Sequence, residues 1–153
     1  GMISSESQNN GRGQYGKKWI SYKGNLFVSF YFKLDNLKIS IKQLTKLNCL
    51  LVRKLLSTYC KKKIIYKKPN DLMIEKKKIC GILQEIISKN YKKYLIVGIG
   101  INLVKNPNIR SYPTTNLYDL TEKKISKKKI ETEIKKIFEV NLIKFYKMKN
   151  KNK

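Results

Sequence analysis

The pattern of apolar and polar residues predicts six short β-strands along the chain. Runs rich in β-branched and aromatic residues, bounded by polar or glycine-containing turns, are typical of strands. Residues 75–78 separate two of these runs closely enough to predict a hairpin turn. The six predicted strands cover residues 2–7, 26–32, 64–66, 72–74, 79–87 and 94–104.

Two segments instead carry apolar residues at intervals of three and four, the spacing of an amphipathic helix. Residues 40–61 show this spacing. Ser40 and Gln43 stand three residues apart at its start, as in a capping box, where each side chain binds the backbone N–H of the other residue. A final helix is predicted to begin after Ser126.

The order of these elements predicts one α+β (α/β) domain. We expect it to span residues 2–147, with flanking helices on a mixed, mostly antiparallel sheet, followed by a basic tail over residues 148–153. The longest apolar run, residues 95–101, is far shorter than the roughly 20 residues of a transmembrane helix. The N-terminal residues lack the features of a signal peptide, and the three cysteines show no C-x-x-C pair. We therefore expect a reduced, cytoplasmic protein.

The charge is strongly basic, with 35 lysines and arginines against 10 acidic residues. Taken alone, a net charge of +25 predicts binding to nucleic acid or to an anionic membrane. However, only Arg12, Arg53 and Arg110 are arginines, and alanine is absent. This bias matches codon drift in an AT-rich genome, whereas surfaces selected for nucleic acid favour the bidentate arginine. A nucleic-acid-binding module is kept as an alternative that depends on charge alone.

The first candidate site is the polar segment 8–19, which carries three glycines between positions 11 and 16. Such a loop leaves backbone N–H groups free to bend around an anion, and Arg12, Lys17 and Lys18 add positive charge. Trp19 offers an aromatic face for a base. The alternative is a solvated surface loop.

The second candidate site combines residues 67–71 (Lys-Lys-Pro-Asn-Asp) with residues 78–83. Pro-Asn-Asp alone indicates only a turn. The predicted hairpin, however, places Asp71 and Lys78 on facing strands, where a carboxylate would lie beside an ammonium group. A lysine in such a place can stabilise charge that develops on a phosphate.

The third candidate site is the strand Val-Gly-Ile-Gly-Ile-Asn over residues 97–102. Its glycines fit close packing in a buried strand. Asn102 interrupts the apolar run and could bind a nucleobase or a phosphate by hydrogen bonds.

In this order, the segments resemble the catalytic domain of the biotin protein ligases. That family carries a GRG-x-x-G-x-x-W loop, then S-x-x-G-x-L, K-W-P-N-D, K-x-x-G-I-L and G-I-G-I-N. The matching residues here are 11–19, 21–26, 67–71, 78–83 and 98–102. The resemblance extends from about residue 3 to residue 145 and implies the biotin/lipoate ligase fold, which is similar to that of class II aminoacyl-tRNA synthetases.

The resemblance implies an enzyme that uses ATP and Mg²⁺ to activate its substrate, biotin, as biotinyl-5′-AMP. The biotin then passes to a lysine of a biotin carboxyl carrier protein or carboxylase subunit. By motif position, the implied catalytic residues are Lys78, Asp71 and Arg12. Biotin or adenylate contacts are implied for Gln8, Gly11, Arg12, Gly13, Gln14 and Gly81, and nucleotide contacts for Trp19, Lys67, Asn70 and Asn102. We expect no dedicated metal ligands, no specific nucleic acid and no membrane partner, and leave a homodimer open.

Several departures from the family pattern keep other functions open. Gln14 and Lys17 stand where many members have arginines, and Lys68 replaces the tryptophan of K-W-P-N-D. By this resemblance, we expect the chain to start after the family's first strand and S-T-N helix and to lack its small C-terminal domain. We therefore expect a fold truncated at the N-terminus, or a pocket completed by another polypeptide, with weakened biotin binding. The alternatives are a degenerate, non-catalytic remnant and a lipoate or octanoate ligase or transferase.

Overall fold

The computed structural model describes residues 1–34 and 40–150, with side chains described up to residue 141. Six strands form one sheet in the order β1-β2-β6-β5-β4-β3, and every pairing between them is antiparallel. The α+β architecture expected from the sequence is therefore confirmed. The strands are β1 (Met2–Ser5), β2 (Leu26–Leu34), β3 (Ile64–Lys67), β4 (Asp71–Ile74), β5 (Lys77–Lys89) and β6 (Lys92–Ile101). The helices are α1 (Ile41–Leu56), α2 (Leu117–Thr121) and α3 (Lys127–Asn150).

The hydrophobic core lies between α1, α3 and one face of the sheet. Because side chains alternate along a strand, β2 turns Leu26, Val28 and Phe30 toward the helices. Phe30 stacks on Phe138 of α3, with ring centroids 4.3 Å apart and planes within 6° of parallel. Burying this one face of the sheet leaves the opposite face free to carry a site.

The helix ends show how local hydrogen bonds refine the predicted boundaries. The capping box of Ser40 and Gln43 is present at the start of α1. The helix ends at Leu56 rather than near residue 61. There, the hydroxyl groups of Ser57 and Thr58 donate to backbone carbonyls of the last turn, an alternative to continued helix. Helix α3 begins one residue after Ser126, as predicted.

The predicted basic tail overlaps the end of α3. The helix continues to Asn150, so the first residues of the segment 148–153 are helical, and residues 151–153 lie outside the described residues. Within the described part of the chain, no helix has the length and apolar character needed to span a membrane.

Asn25 ends strand β6 earlier than its apolar pattern suggests. The buried Asn25 Oδ1 accepts hydrogen bonds from the backbone N–H groups of Leu103, Val104 and Lys105 at 3.0, 3.0 and 3.2 Å. Its Nδ2 donates to the carbonyl of Lys105 at 2.7 Å. The chain therefore leaves the sheet after Ile101 and enters the loop that leads to α2. Helix α2 itself was not predicted.

Candidate active site

A cleft of about 980 Å³ opens on the sheet face opposite the helices. It is bounded by the glycine-containing segment 8–19, by strands β2, β4, β5 and β6, and by the loop that precedes α2. The structure therefore brings together segments that are far apart in sequence. Of the residues singled out from the sequence, all but Gly11 line this cleft: Gln8, Arg12, Gly13, Gln14, Trp19, Lys67, Asn70, Asp71, Lys78, Gly81 and Asn102.

The glycine-containing segment folds as a tight hairpin rather than as an open anion-binding loop. The N–H of Gly13 donates to the carbonyl of Lys17 at 2.6 Å, and the N–H of Trp19 donates to that of Gly11 at 2.8 Å. Gly11 is buried within the hairpin, where a Cβ would stand 2.6 Å from the Trp19 carbonyl oxygen. The expectation that these N–H groups are free for an anion is therefore wrong for Gly13 and Trp19.

Arg12 and Gln8 are the exposed residues of this segment that line the cleft and have partners outside the hairpin. Arg12 forms an ion pair of 3.0 Å with Glu85 on β5, and its side chain is 70% exposed. The backbone of Gln8 is anchored by Ser21, whose hydroxyl accepts from the Gln8 N–H and donates to the Gln8 carbonyl. Glu85 had no role in the sequence analysis, because no motif connects it to Arg12.

Trp19 lies flat on a floor formed by two glycines. Gly81 and Gly100 pair across β5 and β6, and their missing side chains make room for the indole. A Cβ on Gly81 would lie 2.8 Å from the ring, and one on Gly100 would lie 2.5 Å from it. The glycines of the second and third candidate segments are thus required by the tryptophan of the first.

Asp71 and Lys78 form the ion pair that the hairpin predicted. Lys78 Nζ lies 2.8 Å from Asp71 Oδ1, and the two side chains are only 18% and 14% exposed. Between Leu72 and Met73 the register shifts, so that Lys78 pairs with Met73 and Gly81 with Asp71. The ion pair therefore joins two residues that are not directly opposite each other in the ladder.

Tyr112 is the residue of the site that the sequence analysis missed. Its hydroxyl donates to Asp71 Oδ2 at 2.5 Å. Lys67 Nζ lies 4.4 Å from the centroid of its ring. Burial and the hydrogen bond to Asp71 raise the pKa of Tyr112 above its ordinary value, because both disfavour the phenolate. The segment 112–117 resembles the A-T-S-L element of the biotin protein ligases, but that resemblance assigned Tyr112 no role, because only tertiary packing brings its loop to Asp71.

Asn70 and Asn102, the two asparagines among the candidate site residues, are both buried. Asn70 Nδ2 donates to the carbonyl of Ile82 at 2.7 Å, and Asn102 Nδ2 donates to that of Thr115 at 3.0 Å. These bonds attach the β3–β4 turn and the loop before α2 to the sheet. Asn102 Oδ1 and Trp19 Nε1 are buried without a hydrogen-bond partner among the described residues. A buried polar atom left in this way is a candidate ligand contact.

The electrostatics of the cleft favour an anionic ligand. Among the described residues, its only acidic side chains are Asp71 and Glu85, and each is paired with a basic residue. The basic side chains that line it are Arg12, Lys17, Lys18, Lys67, Lys68 and Lys78. An excess of positive charge beside a partly buried ion pair suits a phosphate-containing molecule.

The model of the biotin/lipoate A/B protein ligase family matches residues 2–102. The chain belongs to this family. It is 31% identical over 100 residues to the bifunctional ligase/repressor BirA of Escherichia coli, covering 64% of this chain and 31% of that protein. The corresponding protein of Bacillus subtilis is 31% identical over 109 residues, covering 70% and 34%.

Among solved structures, the chain resembles the biotin protein ligase of Aquifex aeolicus in complex with biotin and ATP. The TM-score is 0.82 at 33% identity, and the match covers 94% of this chain and 61% of that one. This similarity supports the fold inferred from the motifs. The chain spans about a third of the length of the curated relatives named above and about three fifths of the Aquifex ligase.

Proposed function

We propose that this ligase-family domain activates biotin with ATP and transfers the biotinyl group to a lysine of a biotin carboxyl carrier protein. The observation that carries the proposal is the Asp71–Lys78 ion pair, which lies in a basic cleft beside Trp19 and the glycine hairpin. The family membership and the similarity to the Aquifex ligase, which was solved with biotin and ATP, support the choice of substrates.

In the first step, a carboxylate oxygen of biotin attacks the α-phosphorus of ATP. The bond from that phosphorus to the oxygen bridging to the β-phosphate breaks, and pyrophosphate leaves. Lys78 is the cation best placed to stabilise charge on the α-phosphate oxygens, because it is partly buried and therefore poorly screened by water. Lys17, Lys18, Lys67 and Lys68 surround the cleft and favour binding of the triphosphate.

In the second step, the neutral amine of the acceptor lysine attacks the acyl carbon of the adenylate. The bond from that carbon to the phosphate oxygen breaks, AMP leaves, and the amine gives up a proton. Asp71 is the carboxylate in the cleft that we assign to orient the amine and receive this proton.

Mg²⁺ is proposed to enter with ATP rather than to occupy a protein site. Within the described residues, no group of three or more histidine, cysteine, aspartate or glutamate side chains is arranged to hold a metal ion. The two carboxylates of the cleft are already paired with Lys78 and Arg12. Phosphate oxygens and water would supply the ligands, as is usual for Mg²⁺, and the ion would neutralise part of the triphosphate charge.

The proposal is tested by incubating the protein with ATP, Mg²⁺ and biotin and measuring biotinyl-5′-AMP and pyrophosphate by mass spectrometry. Parallel reactions contain lipoate or octanoate in place of biotin, and Lys78→Ala serves as the matched control. Formation of an adenylate from biotin, and from neither lipoate nor octanoate, supports the proposal. Adenylate with lipoate or octanoate alone would assign the alternative substrate. No adenylate from any acid, while a known ligase forms it, would indicate a non-catalytic domain.

A further inference from the structure

Tyr112 contacts both Asp71 and Lys78, the two residues of the ion pair, although it belongs to none of the three candidate segments. Its hydroxyl donates to Asp71 Oδ2, the oxygen that does not face Lys78. Lys78 Nζ contacts the other oxygen, Oδ1. The carboxylate is therefore held at both oxygens, by a cation on one side and by a neutral donor on the other.

The loop that carries Tyr112 is bonded to the backbone of Lys78 itself. The Lys78 N–H donates to the carbonyl of Pro113 at 2.8 Å, and the Thr115 N–H donates to the carbonyl of Lys78 at 2.9 Å. Both backbone groups of Lys78 are therefore bonded to the loop, in a parallel bridge with Thr114. Tyr112 and Lys78 are thus fixed relative to each other by the backbone, before their side chains meet.

The phenol of Tyr112 is suited to remain a hydrogen-bond donor beside two cations. Lys67 Nζ and Lys78 Nζ lie 4.4 and 5.4 Å from its ring centroid, within the range of cation–π attraction. Burial and the bond to Asp71 raise the pKa of Tyr112, so the proton stays on its oxygen at neutral pH. The ring attracts the ammonium groups while the hydroxyl donates to the carboxylate at 2.5 Å and has only a longer, 3.9 Å contact to Met73 Sδ besides.

We propose that Tyr112 is a positioning residue that holds the Asp71 carboxylate in place when an anionic substrate draws Lys78 toward itself. This inference rests on the proposed function, in which the α-phosphate competes with Asp71 for Lys78. Without a second partner, the carboxylate would be free to rotate as soon as the ion pair loosens. Since Asp71 is assigned to the acceptor amine, loss of the hydroxyl should slow the transfer step more than adenylate formation.

The test uses Tyr112→Phe, which keeps the ring and removes one hydrogen bond. Transfer to a recombinant biotin carboxyl carrier domain should fall roughly 10-fold or more in kcat, the effect of losing one hydrogen bond to a charged group. The rate of adenylate formation and the KM for ATP should change less than about 3-fold. A crystal structure of the variant with ATP bound should show the Asp71 carboxylate rotated away from its position in the ATP-bound unaltered protein.

Tyr91→Phe, at the fully exposed tip of the β5–β6 hairpin, is the matched control and should leave both steps unchanged. An unmoved Asp71 carboxylate in ATP-bound Tyr112→Phe, or equal slowing of both steps, would overturn the positioning role. So would a Tyr112→Phe protein that is unfolded at the assay temperature. If the unaltered protein forms no adenylate, the proposed function fails, while the crystal comparison still decides whether Tyr112 positions Asp71.

Discussion

The glycine floor under Trp19 makes the substitution Gly100→Ala a direct test of the packing of the site. A Cβ at Gly100 would lie 2.5 Å from Cζ2 and 2.7 Å from Cε2 of the indole. The strand cannot retreat, because β6 is bonded to β2 on one side and to β5 on the other. The indole is rigid, so we expect it to lift away from the sheet.

The cost follows from the area that the ring would expose. A tryptophan buries roughly 150–250 Å², and lifting it exposes about half of that. At about 25 cal/mol per Å², the loss is about 2.5 kcal/mol. Overpacking in proteins costs about 1–3 kcal/mol, which agrees with this figure. We therefore expect Gly100→Ala to lower the free energy of unfolding by about 2.5 kcal/mol.

The measurement is urea denaturation followed by fluorescence, because Trp19 is the sole tryptophan of the chain. The emission of native Gly100→Ala should shift to longer wavelength as the indole becomes more exposed. Gly98→Ala is the matched control, two residues away on the same face of β6. Its Cβ would find its nearest neighbour at 3.7 Å, an ordinary contact, and the backbone φ is not positive. It should be neutral or stabilise by up to about 1 kcal/mol.

Equal unfolding free energies for Gly100→Ala and Gly98→Ala would show that Trp19 does not pack on Gly100. So would an emission maximum in Gly100→Ala that matches the unaltered protein, because the indole would then still lie on the sheet.

Three further predictions concern the proposed reaction, the loop anchor and a buried thiol. Lys78→Ala should lower pyrophosphate release about 100-fold or more while costing far less in stability; retained release would contradict its role. Asn25→Ala should destabilise by about 3 kcal/mol in urea, since three N–H groups lose their acceptor; a loss below about 1 kcal/mol would contradict the anchor. Burial raises the pKa of Cys49 to about 12, so at about pH 8.5 the folded protein should hold it as the unreactive thiol; iodoacetamide labelling before unfolding, detected by mass spectrometry, would contradict this.

Local sequence patterns were sufficient to predict most of the strands and the start of α1. The apolar run of β2 and the capping box of Ser40 and Gln43 encode their structure within a few residues, so they could be interpreted without the rest of the chain. The Asp71–Lys78 pair could be anticipated for the same reason, because a short hairpin brings the two residues together. The end of β6 could not be predicted in this way, because it depends on hydrogen bonds to Asn25, which lies nearly eighty residues away in the sequence.

The chemical groups of the site and the local elements that carry them follow from the order of amino acids along the chain. The partner of each group depends on how distant segments pack in the folded protein. Arg12 lies beside Glu85, Trp19 lies on Gly81 and Gly100, and Tyr112 lies beside Asp71. Each contact joins segments that meet because the sheet orders its strands β2-β6-β5-β4, and no local periodicity records that order. The register of the strands depends on which face of the sheet is buried against the helices, and that burial involves the whole chain. The register in turn decides which side chains meet on the open face.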